Sequence, residues 1–229
     1  MTRSTVADHL AGIEAALRPL GHPAQAQPMQ AYMLGQFEFL GIRAGPRREA
    51  LKGLPKFAGT ADELLDLADA LWRLPQREFC YVAVDVLAKH HKRLDLRALP
   101  RILDLVQTDS WWDTVDGLAG VVGDILRKVA ATEAERLMDQ ALAHDNLWVR
   151  RVAMLHQLGW KDDADQARLF RYALSLAPEK DFFIRKAIGW ALRDHARSQP
   201  DAVWAFLARH AEQLSGLTRR EAGKHLEAI

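Results

Sequence analysis

The sequence predicts an all-α protein, a curved α-solenoid of HEAT-like helix pairs whose concave face is an extended binding surface. Three observations lead there. Apolar residues recur at steps of three and four through nearly every segment. Prolines, glycines and capping patterns cut the chain into roughly a dozen helices of about 11–16 residues, near the ordinary helix length. No run alternates strictly enough to invite a strand. Helix pairs recur at intervals of about 35–40 residues, the range of HEAT-like repeats. There is no low-complexity linker, so residues 1–229 are read as one domain.

Val6, Leu10, Ile13 and Leu17 mark the first helix. Pro28 suits the first position of the second, and Met29, Tyr32, Met33 and Phe37 line its face up to a stop near Gly41. Pro46 opens a basic helix carrying Arg47, Arg48, Lys52 and Lys56. Thr60 to Glu63 is a capping box, in which hydroxyl and carboxylate satisfy unpaired N–H groups, ahead of Leu64, Leu67, Leu71 and Trp72. Phe79, Ala83, Val86 and Leu87 form the next stripe, and Pro100 introduces Ile102, Leu103 and Val106. Thr132–Glu135 and Thr218–Glu221 read as further capping boxes. Between them lie helices starting near Asn146, before Leu169, at Phe182 and at Pro200.

Composition excludes several classes. The chain has 229 residues, 49% hydrophobic and 27% charged, which is ordinary for a globular protein. Lys+Arg 31 against Asp+Glu 30 gives a formal net charge of +1, a balance in which a local basic face can hide. The single cysteine, Cys80, excludes an internal disulfide framework and fits a reducing cytosol. Met1 to Gly12 lacks the apolar core of a signal peptide, and no run approaches the roughly 20 apolar residues of a membrane span. A cytoplasmic monomer is therefore expected. The histidines show no HExxH or other metal-ligand spacing, and no glycine-rich phosphate loop is present, so no metal or cofactor is expected.

The stretch Ser110-Trp111-Trp112-Asp113-Thr114-Val115-Asp116 carries the chemistry. Ser110 is placed to N-cap a helix. Trp112 and Asp116 are four apart, so a helix sets them on one face. A carboxylate beside an indole, followed by the apolar run Gly117–Val122, is costly to leave ionised without a partner. An anion fixed against an aromatic wall suits the stabilisation of a cation; the plainer alternative is that Trp111 packs in the core while Asp113 and Asp116 are solvated or bond locally. Arg47-Arg48, Arg150-Arg151 and Arg219-Arg220 are basic pairs near helix starts, where anions are favoured, and together they suggest a phosphate-tracking groove. The seven tryptophans add aromatic faces of the kind that meet bases.

Taken together, these stretches resemble the HEAT-like-repeat DNA alkylation-repair glycosylases of the AlkD type. The resemblance rests on Tyr32-Met33 with Phe39–Ile42, Leu74–Phe79, Ser110–Asp116, Asp145–Trp148 with Arg151, Phe183–Trp190 and Arg220–His225, in that order along nearly the whole chain. It implies a monofunctional DNA glycosylase of base excision repair, acting on cationic bases such as 3-alkyladenine and 7-alkylguanine in double-stranded DNA. By carry-over, Asp116 is the catalytic carboxylate, and Trp112 and Trp190 the aromatic pair facing the damaged nucleotide. Tyr32 is a third contact and Arg151 a backbone contact beside the lesion; Arg47, Arg48, Arg150 and Lys186 complete the expected DNA-binding set. The family leaves the target base stacked rather than extruding it, unlike most glycosylases. This chain departs from the family pattern at Arg43-Ala44-Gly45-Pro46, where a threonine is missing and the proline falls one place later, and at Arg185, often a glutamine. The alternatives are a non-catalytic DNA-binding module of the same fold and a protein-binding helical scaffold.

Overall fold

The structure is a computed structural model that describes residues 4–224 and 226. His225 of the last family-like segment, and residues 1–3 of the stretch read for a leader, lie outside them. Among the described residues there are thirteen α-helices, a few 3-10 turns and no strand; one isolated parallel bridge joins Glu38 to Gln76. No helix among them is long and apolar enough to cross a membrane. The chain forms two compact units, Met1–Leu105 and Val106–Ile229.

The first unit contains α1 (Val6–Leu17), α2 (Pro23–Tyr32), α3 (Ala44–Ala50), α4 (Ala61–Trp72) and α5 (Arg77–Lys89). The α6 helix (Leu99–Gln107) carries the chain across the division. The capping box of α4 forms as the sequence requires: Thr60 Oγ1 accepts from Glu63 N–H at 3.2 Å, and Glu63 accepts from Thr60 N–H at 2.7 Å. Helix α4 then packs its apolar face against α5 and α1.

A feature of this unit has no local sequence signal. The Glu78 carboxylate, fully buried at the start of α5, accepts the N–H groups of Leu40, Gly41 and Ile42 at 2.9, 2.8 and 3.0 Å. It pins the loop that follows α2. Gly41 has φ +89°, and a Cβ there would lie 2.3 Å from the His22 carbonyl oxygen, so no other residue fits without displacement. Glu78→Ala strands these donors together. A loss of about 3 kcal/mol is expected from the shift in urea midpoint, with a smaller loss for Glu78→Gln, which keeps one acceptor.

The second unit contains α7 (Trp112–Leu126), α8 (Ala131–Leu142), α9 (Leu147–Leu155), α10 (Gln166–Leu176), α11 (Phe182–His195), α12 (Pro200–Arg209) and α13 (Gly216–Gly223). Alternate helices form a row: α7 packs on α9, α9 on α11 and α11 on α13, while α8, α10 and α12 pack against α9 and α11 from the other layer. Two glycines set how closely the row packs. A Cβ on Gly123 would meet the His156 carbonyl oxygen at 2.0 Å, and one on Gly189 would meet Glu221 Cβ at 2.5 Å. Polar bonds between neighbouring helices of a layer span about one repeat: 35 residues for Arg151–Asp116, 36 for Arg171–Glu135 and 33 for Thr218–Arg185, down to 28 for Arg193–Glu221. That regularity is the repeat seen from inside the unit.

Several expected helix starts are displaced. The N-cap of α7 is Trp111, while Ser110 donates its hydroxyl to the Val106 carbonyl at 2.6 Å. Helix α8 opens at Ala131 without a side-chain cap, and Glu135 instead receives Arg171 at 2.5 Å. Helix α13 is capped by Ser215, so Thr218 and Glu221 lie inside it. Pro28 sits within α2, whose first residue is Pro23, and α3 begins at Ala44, two residues before Pro46. The N-cap of α3, Arg43, makes no side-chain cap bond, at the point where the sequence lacks a threonine. In each case the pattern names residues able to cap; partners about one repeat away, or packing of the preceding turn, decide which one does.

Candidate active site

The helix starts along the row of the second unit are joined by aromatic packing. Trp111, Trp148 and Phe183 meet with ring centres 4.8–5.7 Å apart, one from each of the entries to α7, α9 and α11. Trp111 thus packs in a cluster, as the plainer reading of the tryptophan pair expects for it. Trp112 begins α7, and Asp116 lies one turn further along the same face.

Asp116 is held by Arg151 of α9. Its two carboxylate oxygens accept from Nε at 2.7 Å and Nη2 at 2.8 Å, a bidentate pair. The remaining guanidinium nitrogen, Nη1, donates to the Phe183 carbonyl at the start of α11. Arg151 is 1% exposed, whereas the Asp116 side chain keeps 22% of its surface open. The cation is structural and interior; the anion reaches the outside. Burial pushes the Asp116 carboxyl above its ordinary value, against the pull of Arg151. Protonating it would leave the buried guanidinium without a counter-charge, which keeps the carboxylate ionised at neutral pH.

Trp190, two turns along α11, lies beside this pair. The Arg151 guanidinium carbon is 5.5 Å from its ring centre, Lys186 Nζ 5.3 Å and the Arg193 guanidinium carbon 5.9 Å. Its indole N–H donates to Glu221 of α13 at 3.1 Å. Glu221 also binds Lys186 at 2.9 Å, Arg193 at 3.0 Å and Lys224 at 2.8 Å. The missing side chain of Gly189 allows α13 to come this close. Sequence reading missed Glu221 because Thr218–Glu221 looks like a cap. The signal that finds it is the repeat, since Lys186 and Glu221 are 35 residues apart, as are Asp116 and Arg151.

The structure therefore brings Asp116, Trp190, Arg151 and Lys186 together in the second unit, with Trp112 one turn from Asp116. Tyr32, Arg47 and Arg48 belong to the first unit. Tyr32 ends α2, 71% exposed, at the edge of a pocket of about 370 Å³ lined with Met29, Met33, Phe39, Arg43 and Tyr81.

The basic residues differ in how open they are. Arg151 is buried, and its nitrogens donate to Asp116 and Phe183. Arg47 is buried, its guanidinium carbon 4.9 Å from the Tyr81 ring centre and its Nη2 3.2 Å from Asp85. Arg150 is bidentate to Glu179 at 2.8 and 2.9 Å and donates to the carbonyls of His144 and Asp145. Arg48, 66% exposed and 3.4 Å from Asp85, is the member of the expected set most open to a phosphate. Spacing identifies a cation, but a partner acid one repeat away cannot be read locally.

Residues 13–226 match the family described as DNA alkylation repair enzyme. The chain belongs to that family. It is 30% identical to a predicted DNA alkylation repair enzyme of Enterococcus faecalis, with a TM-score of 0.80 over 91% of this chain and 97% of that one. AlkD2 of Streptococcus mutans shares the fold at 19% identity and a TM-score of 0.65, over 98% of this chain and 100% of the other. A second Streptococcus mutans protein, smu.31 of strain UA159, does so at 21% identity and 0.58, over 73% and 86%. None of the curated proteins matches the chain. For a DNA alkylation repair enzyme, the Asp116–Arg151 pair beside Trp190 is the candidate centre.

Two buried groups contribute to the acid stability of this unit. Burial holds the His156 imidazole down at about 4 against its Nδ1 bond to the Ala153 carbonyl. Burial would raise the Glu221 carboxyl, but Lys224, Lys186 and the Trp190 N–H outweigh it and hold the group at about 2. Both values lie below the ordinary 6.5 and 4.5, so both stabilising contributions are complete above those values. Stability should fall from pH 6.5 to about 4 through His156, and from 4.5 to about 2 through Glu221. In urea titrations against pH, Glu221→Gln should shrink the loss below 4.5 and leave the His156 step between 6.5 and about 4 in place.

Proposed function

We propose that this protein is a monofunctional DNA glycosylase that hydrolyses the N-glycosidic bond of cationic alkylated purines, such as 3-alkyladenine and 7-alkylguanine, in duplex DNA. The observation that carries the reading is the solvent-reaching Asp116 carboxylate, fixed by a buried guanidinium beside an indole, in a DNA alkylation repair enzyme.

An alkylated purine carries positive charge and is already a good leaving group. As the C1′–N bond breaks, the electron pair goes to the base, which departs neutral, and positive charge develops on the sugar. A preoriented carboxylate stabilises that charge without reorganising. Water then bonds to C1′, and its proton passes to Asp116 or to solvent, leaving an abasic site. Arg151 acts through Asp116: its fork holds both carboxylate oxygens.

The two indoles take different parts in this reading. Trp112 faces the cationic base, where an aromatic face contributes roughly 0.5–2 kcal/mol. Trp190 already has three protein cations within 6 Å of its ring centre, which suits it to the sugar and phosphate beside the lesion. Lys186 is committed to Glu221 at 2.9 Å, a structural pairing instead of a Schiff-base role. The deciding experiment is release of methylated base from purine-methylated duplex. Release above the spontaneous rate supports the reading, and release at the spontaneous rate removes it.

A further inference from the structure

The first unit holds a second concavity, of about 510 Å³, that the Asp116 chemistry leaves unused. Its floor is aliphatic, made by Ile13, Leu54, Leu67, Val82 and Val86. On one side Phe57 packs between two imidazoles, with ring centres 5.2 Å from His9 and 5.8 Å from His90. Arg48, Lys52, Lys56 and Lys89 stand among its lining residues, against a single lining acid, Asp85. That acid is already shared by Arg47 and Arg48, and Lys52 is paired with Glu49 at 2.6 Å. Lys56 and Lys89 are exposed and have no ion-pair partner among the described residues.

A volume of this size lies within the range of small-molecule sites, which are mostly apolar with a few polar groups that fix orientation. Here the charged groups are four cations against the one acid, Asp85. A nucleic-acid backbone would meet the lysines but leave the aliphatic floor uncovered. A neutral apolar molecule would cover the floor but leave two ammonium groups at its edge without a counter-charge. We propose that this groove binds a small organic anion with an aliphatic body, its acid group at Lys56 and Lys89 and its chain over Ile13, Leu54 and Val86. The proposal stands apart from the Asp116 chemistry and shares with the expected DNA-binding set only Arg48, which lines the groove but is not asked to hold the acid group.

The test is calorimetric titration of the full-length protein with decanoate, decyltrimethylammonium and inorganic phosphate, each below any micelle concentration. Decanoate should saturate one site and bind at least about tenfold more tightly than either of the others. The Lys56→Gln/Lys89→Gln variant, which changes only exposed side chains, should weaken decanoate about tenfold or more. Equal binding of the cationic amphiphile would show unspecific adsorption on an apolar surface and overturn the proposal. So would equal binding of phosphate, which needs charge alone. Displacement of decanoate by undamaged duplex DNA, with matching loss of DNA affinity in the variant, would assign the lysines to the DNA surface instead.

Discussion

Asp116→Asn should slow release of methylated purine from duplex DNA by about 100-fold while DNA affinity changes little. Asparagine keeps the shape and one acceptor for Arg151 but removes the charge that faces the developing sugar cation. In the unsubstituted protein, the rate should fall on acidification as Asp116 is protonated. Because burial raises this carboxyl, the fall should begin at a higher pH than an ordinary aspartate near 3.8 would give. The acid limb should be absent in Asp116→Asn, whose residual rate is independent of that titration. A variant that releases base at the original rate would show that the carboxylate is a structural partner of Arg151 and nothing more.

Arg151→Ala should cost about 3 kcal/mol of stability and nearly all activity, yet leave the salt dependence of DNA binding unaltered. The physical reason is the asymmetry of the pair. Arg151 is 1% exposed with its nitrogens on Asp116 and Phe183, so removing it strands a half-buried carboxylate and an unpaired carbonyl. A residue that touches a phosphate behaves differently: its loss lowers the slope of log affinity against log salt by about one. Arg48→Ala is the comparison, because its guanidinium is largely open to solvent. A slope reduced by about one in Arg151→Ala, with little loss of stability, would mean that the side chain leaves its buried position when DNA binds.

How much of this was legible differs from residue to residue. The capping box at Thr60 and the helical spacing of Trp112 and Asp116 are local facts, set by a hydroxyl, a carboxylate and the turn of a helix, and the structure contains both. The capping boxes at Thr132 and Thr218 have the same local form but are not used as caps. There, Glu135 and Glu221 take cationic partners 36 and 35 residues away. The basic pairs follow the same rule. Arg150 and Arg151 are neighbours in sequence, yet Arg150 turns to Glu179 and Arg151 to Asp116.

The amino-acid order alone determined the helical class, the repeat length and the residue types at the centre, because periodicity, caps and a tryptophan–aspartate pair four apart are properties of a single helix. Only the tertiary structure decided which acid each cation meets, that Arg151 is buried between Asp116 and Phe183, and that Glu221 anchors Trp190. Those choices depend on two helices one repeat apart coming close enough to exclude water, at Gly189 for one of them. A buried charge then takes whatever opposite charge the packing sets beside it.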